Sequence, residues 1–131
     1  MSEALAKAAI EAMQNAYAPY SQFSVGAAVL DEHGHIHVGG NVENAAYPNG
    51  ICAETSAIAA MVSSGGRRIM EIAVAGRGAV LCTPCGGCRQ RIREFGEPTT
   101  PIHICDENGY RETHKLEALL PLSFGPDNLQ N

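Results

Sequence analysis

The chain has no apolar run of membrane length, so it offers no transmembrane helix, which needs about 20 consecutive apolar residues. It is also poor in basic residues, with 9 Lys and Arg against 14 Asp and Glu and a formal net charge of -5. Only Arg67-Arg68 and the group Arg89, Arg91 and Arg93 are locally basic. That is too little for the positive footprint a nucleic-acid backbone calls for. Neither a repeat nor a low-complexity tract interrupts the sequence. Its opening, MSEALAKAAIEAM, contains Glu3 and Glu11 and no uninterrupted apolar core, which argues against a secretory signal. The expectation is a soluble, cytoplasmic protein with reduced thiols, in which an odd five cysteines make no disulfide framework. A length of 131 residues suits one domain over residues 1–131, with one core and one site.

Leu5, Ala9, Met13 and Ala16 recur at helical spacing after Ser2, a candidate cap, and Pro19 should end that helix. Residues 23–43 read as a hairpin turning at Asp31-Glu32-His33-Gly34. Alternation puts Ile36, Val38 and Val42 on one face of its second strand, and His35, His37, Asn41 and Glu43 on the other. A hairpin's solvent face is the expected home of His35 and His37, and His33 belongs to the turn. CAETSAIAAMVSSGG is a helix, IMEIAVAG a central strand, and CGGCRQRIREFG a helix started by Pro84 and ended by Gly96. PIHIC is a strand in which Cys105 reads as a buried small residue. Asn108-Gly109 turns into a short strand at residues 110–113, and KLEALL makes a last helical turn. The order α-β-β-α-β-α-β-β-α predicts an α/β fold, a mixed sheet with helices on both faces.

CTPCGGC packs Cys82, Cys85 and Cys88 into seven residues. A helix opened by Cys85 brings Cys88 round beside it, close to backbone N–H groups that favour thiolates. Such a pair suits a metal or a redox disulfide equally. Counting Cys82, the spacing is also that of a bacterial ferredoxin loop, but Arg89-Gln90-Arg91 follow where a fourth cysteine and proline belong. Zinc needs at least one more ligand, and Cys52 is the sharpest candidate, because it begins another helix and has Glu54 two residues on. Three thiolates with a carboxylate alongside that does not bind the metal is what water activation needs.

CAE followed by PCGGC resembles the zinc nucleoside and nucleotide deaminases. YAPYSQFSVGAAVL, NVENAAYPNGICAE, TPCGGCRQ and LLPLSFG, in that order, resemble more closely the small homotetrameric cytidine deaminases. The resemblance implies a three-layer αβα sandwich around a mixed five-stranded sheet. It implies one zinc per chain on Cys52, Cys85 and Cys88, with Glu54 shuttling protons and no organic cofactor. Asn41 and Glu43 match the pair that holds the ribose 3′-hydroxyl, Phe23 the aromatic along the pyrimidine, and the backbone of Ala53 the partner of the base's polar edge. Ala45, Tyr47 and Phe124 match positions that neighbouring subunits supply, so the site is completed in a homotetramer. The implied reaction is hydrolysis of cytidine and deoxycytidine to the uridine products and ammonia, a step of pyrimidine salvage. A blasticidin-type deaminase shares the cysteine motif, but Asn41-Val42-Glu43-Asn44-Ala45-Ala46-Tyr47 favours the nucleoside enzyme.

One position departs from the pattern. Members with three cysteine ligands often carry arginine after the glutamate, where this chain has Thr55. The thiolate charge must then be offset by the two helix N-termini, the Thr55 hydroxyl or Arg89. His103 and His114 receive no role from the sequence.

Overall fold

Five segments pair into one sheet: β1 (Val25–Asp31), β2 (Ile36–Gly40), β3 (Ile69–Gly76), β4 (Pro101–Asp106) and β5 (Gly109–Lys115). The computed structural model describes residues 2–130. The strand order is β2-β1-β3-β4-β5. Only β3 and β4 run parallel, so the sheet is mixed as expected. Among the described residues four α-helices accompany it: α1 (Ser2–Met13), α2 (Ala53–Ser63), α3 (Gly86–Phe95) and α4 (Leu116–Leu119).

Alternation along β1 divides the core in two. Ala28 and Leu30 join Leu5, Ala9 and Met13 of α1 on one face, with Ala73, Ala75 and Cys105. Ala27 and Val29 join Ala57 and Met61 of α2, Ile92 of α3 and Leu116 of α4 on the other. The layers are therefore α1, then the sheet, then α2, α3 and α4, the three-layer arrangement implied by the resemblance. β3 is covered on both sides, which is why IMEIAVAG is almost continuously apolar.

Two glycines set how deeply the helices sit. A Cβ on Gly26 would stand 2.0 Å from the Ala9 carbonyl oxygen, so the backbones of α1 and β1 touch. A Cβ on Gly39 would stand 2.6 Å from the Ala57 nitrogen, which means that α2 rests on β2 in the same way. The second contact matters for the site, because α2 begins at Cys52 and carries Glu54.

Several details differ from the sequence expectations. Helix α1 ends at Met13 rather than running on towards Pro19, because Tyr17 leaves it to pair with the segment after β2: its amide donates to the Asn41 carbonyl at 2.8 Å. The cap expected of Ser2 lies outside the described side chains. β2 stops at Gly40, so Asn41 and Glu43 are not strand residues, and Val42 makes isolated bridges to Tyr17 and Ile51. Ile36 and Val38 share a face with Leu30 and Ala28 yet are exposed at the sheet edge. His37 is not on a solvent face: it is half-buried and 2.8 Å from Asp31, whose other carboxylate oxygen accepts the amides of His33 and His35. These bonds, the His37 one foremost, lower the Asp31 carboxyl to about 2. His103 is buried and bonded at 2.7 Å on both sides, to Glu71 and Thr113, which makes it a satisfied core histidine.

Gly39→Ala tests whether the depth of α2 sets the site. The added methyl meets backbone, which cannot swing away, so destabilisation of about 1–3 kcal/mol is expected. Urea unfolding measures it, and zinc content of the folded fraction should fall with it.

Candidate metal centre and its surroundings

Cys52 and Cys85 occupy equivalent places, each the cap residue before a helix. Both are extended, with φ/ψ of -77°/159° at Cys52 and -67°/168° at Cys85. Neither sulfur bonds the amides of its own helix as a capping oxygen would, which leaves both side chains to face each other at 3.8 Å. Cys88 lies in the first turn of α3, and the ligand atoms of the three cysteines all lie within 4.8 Å of one another. Tetrahedral zinc with bonds of about 2.3 Å sets its sulfurs about 3.8 Å apart, so the trio fits that ion in spacing as well as in donor type. Cys82 is not in the cluster: it packs against the core beside Gly76 and Phe23. Cys105 lies on the opposite face of the sheet. A four-cysteine cluster is thus not assembled among the described residues.

Acidic groups crowd this corner, and burial dominates their behaviour. It pushes Cys88 up to about 12, with further upward pressure from Glu54 and the other two sulfurs. Cys52 is raised by burial too. Cys85 is the exception: burial pushes it up, but its contacts with Cys88 and with the Cys52 sulfur outweigh that and lower it. Glu54, 4% exposed in the first turn of α2, is raised chiefly by burial. A carboxyl whose proton affinity is raised in this way beside a metal-binding cluster is suited to proton transfer.

Two side chains approach the sulfurs, and one of them was not singled out by the sequence. Thr55 Oγ1 lies 3.6 Å from Cys88 Sγ. Arg89, one of the three candidates from the sequence, does not reach the sulfurs: it donates to the carbonyls of Pro84 at 2.7 Å and Leu119 at 2.8 Å, and to Thr83 Oγ1 at 3.1 Å. It clamps the loop before α3. The guanidinium that contacts sulfur is that of Arg91, with Nη1 3.9 Å from Cys88 Sγ. Its place three residues after Cys88, on the same helix face, was the available signal.

The remaining expected site residues fall into separate groups. Asn41 ties down the loop before β1, accepting from the Val25 amide at 2.9 Å and donating to the Phe23 carbonyl at 3.0 Å. Glu43 accepts the amides of Tyr20 and Ser21 and the Ser21 hydroxyl. It lines a cavity of about 330 Å³ with Tyr20, Ser21, Asn44, Tyr47 and Gly50. Phe23 is 43% exposed and lies over Gly76, where a Cβ would come within 3.3 Å of its ring. Ala53 is fully buried at the start of α2, and Ala45 is exposed. Phe124 is not with Glu43 and Tyr47: it lines a second groove, with Gln90 donating to its carbonyl at 2.8 Å. Gln22 and Leu122, next to Phe23 and two before Phe124, have left-handed φ of 58° and 52°. Each costs about 1–3 kcal/mol, a strain that recurs where loops are shaped for binding.

The chain is similar to known proteins in sequence and in fold. The family described as the cytidine and deoxycytidylate deaminase zinc-binding region matches residues 1–104. Cytidine deaminase from Mycobacterium tuberculosis (strain H37Rv) is 43% identical over 122 residues, covering 92% of this chain and 87% of that one. That from Sporosarcina psychrophila is 40% identical over 119 residues, or 91% and 88% of the two chains. The crystal structure of cytidine deaminase from Burkholderia pseudomallei superposes with a TM-score of 0.89 at 39% identity, covering 95% of this chain and 99% of that one.

If the three sulfurs form one centre, losing any of them should empty it. Purified protein should carry about one zinc per chain and be colourless, while Cys88→Ala should carry almost none. Elemental analysis after gel filtration reads both.

Proposed function

The chain belongs to the cytidine and deoxycytidylate deaminase zinc-binding family, and from that premise we propose that it hydrolyses cytidine and deoxycytidine to the uridine products and ammonia. The observation that carries the proposal is Glu54, a buried carboxyl with raised proton affinity beside the three-sulfur cluster but not part of it. Cys52, Cys85 and Cys88 would hold zinc, which when bound supplies the Lewis acidity that makes water acidic near neutral pH.

The protein's own part in the chemistry falls to Glu54. It would take a proton from water and carry it to N3 of the base as the water oxygen adds to C4, then take the proton of the new C4 hydroxyl and give it to the exocyclic nitrogen as the C4–N bond breaks and ammonia leaves. One carboxyl serves as base and then as acid, which requires a proton affinity between the two extremes. Burial of Glu54 moves it in that direction.

Binding would be divided among the loops around the cluster. Phe23 offers its ring to the pyrimidine, and the backbone of Ala53 meets the base's polar edge. Asn41 and Glu43 are assigned to the ribose 3′-hydroxyl. The Ser21 hydroxyl donating to Glu43 supports reading that carboxylate as an acceptor for an alcohol. Ala45, Tyr47 and Phe124 are assigned to sites of neighbouring copies, and the separation of Phe124 from Glu43 and Tyr47 within one chain is compatible with different copies receiving them. A homotetramer is supported by the exposed apolar side chains nearby, with Tyr47 73%, Phe124 57% and Tyr17 55% exposed. Among the described residues no helix is long and apolar enough to cross a membrane. The proposed setting is cytoplasmic pyrimidine salvage.

Glu54→Gln should keep its zinc and lose about 10²–10⁴-fold in kcat, measured as ammonia release from cytidine, deoxycytidine and blasticidin S. Near-normal turnover by the variant would sink the mechanism, and failure of wild type on both nucleosides would sink the substrate assignment. Sedimentation equilibrium should give four chains per particle, and Tyr47→Asp should shift it to smaller species.

A further inference from the structure

We infer that Arg91 supplies the positive charge that tempers the thiolate cluster, acting through Cys88 across the first turn of α3. The inference rests on the zinc deaminase reading above. Three thiolates around a divalent ion leave the core negative, which makes the sulfurs generous donors and the metal a weaker Lewis acid. A hydroxyl such as that of Thr55 can donate a hydrogen bond to sulfur but brings no net charge. Arg89 is fully engaged by the loop before α3.

The geometry of α3 delivers Arg91 to the sulfur. Residues three apart share a helix face, and long helical side chains lean back towards the N-terminus, so Arg91 reaches over the turn that holds Cys88. Gly87 leaves the route open: a Cβ there would stand 3.1 Å from Arg91 Nη1. The guanidinium enters a groove of about 390 Å³ between α2 and α3, with Thr55 and Ile58 on one wall and Gln90 and Glu94 on the other. Glu94 is the obvious competitor for it, yet among the described residues Arg91 forms no ion pair with that carboxylate, and its polar contact is to sulfur. The same charge is felt at Glu54, where it opposes the effect of burial. Arg91 is itself exposed, so solvent moderates its field.

Arg91 is argued to act through Cys88, so its test needs a signal from the sulfurs themselves. Cobalt(II) in place of zinc provides one, because the energy of its sulfur-to-metal charge-transfer band reports how electron-rich the thiolates are. The full chain is compared with Arg91→Leu and Arg91→Lys. Leucine should move the band to longer wavelength and, in the zinc form, lower kcat for cytidine about tenfold with little change in KM. Lysine should recover part of both. Since the side chain is exposed, both variants should fold. A band at one position in all three proteins overturns the inference, whatever turnover does. Inactive wild type would refute the proposed function and leave the cobalt spectra to judge Arg91 separately.

Discussion

Everything at the site depends on two helices beginning at the same place on one face of the sheet. Cap positions ordinarily hold Ser, Thr, Asp or Asn, whose side chains satisfy free amides at the helix start. Here both are cysteine, and neither sulfur performs that service. Each helix forgoes about 1 kcal/mol of capping, and in return the start of each presents a sulfur towards the other. Core contacts supply what the caps do not: Ala57 and Met61 anchor α2, and Ile92 anchors α3, all fully buried in one cluster. The helices are held from behind by the sheet, so their starts can be given over to chemistry.

The rim is built differently. Residues 14–24 and 41–51 have little regular structure, and polar side chains organise them in its place. Asn41 uses both ends of its amide on the strand-entry loop, while Glu43 gathers Tyr20 and Ser21. The residues assigned to the sugar are thus also the fasteners of the loop that carries Phe23. Substitutions at Asn41 or Glu43 would disturb the pyrimidine side as well as the ribose side, so their effects on binding should not be additive.

Much of this was legible in the sequence because the signals were local. Element order, the caps at Cys52 and Cys85, and the ending of α3 at Gly96 follow from turn and helix chemistry within a few residues. What escaped depended on partners distant in the chain. His37 alternates with Ile36 and Val38, and period-two reasoning puts the apolar pair inside, but the contact with Asp31 draws His37 in while the pair lies at an edge. The end of β2 was invisible because Tyr17, more than twenty residues earlier, competes for the backbone after Gly40. In the cluster, the sequence narrowed the charge-offsetting groups to the helix ends, Thr55 and Arg89. It could not show that Arg89 is consumed by the Leu119 carbonyl, thirty residues away, leaving Arg91 to meet the sulfur.

The crowding of acids explains how one corner can provide both ligands and a proton carrier. Burial drives Cys52, Cys88 and Glu54 in the same direction, towards their protonated forms. A divalent cation separates them, because it acts most strongly on the groups it touches: coordinated sulfurs lose their protons outright. Glu54 is not one of the three clustered ligand groups, so its carboxyl is free to carry a proton. Had Glu54 been a ligand, its lone pairs would be committed; had it been exposed, it would lack the raised proton affinity that burial gives it. Its place in the first turn of α2, two residues after Cys52 and 4% exposed, avoids both outcomes. Gly39 secures that place, since it is the missing Cβ on β2 that lets α2 settle deeply enough to bury the carboxyl beside the cluster.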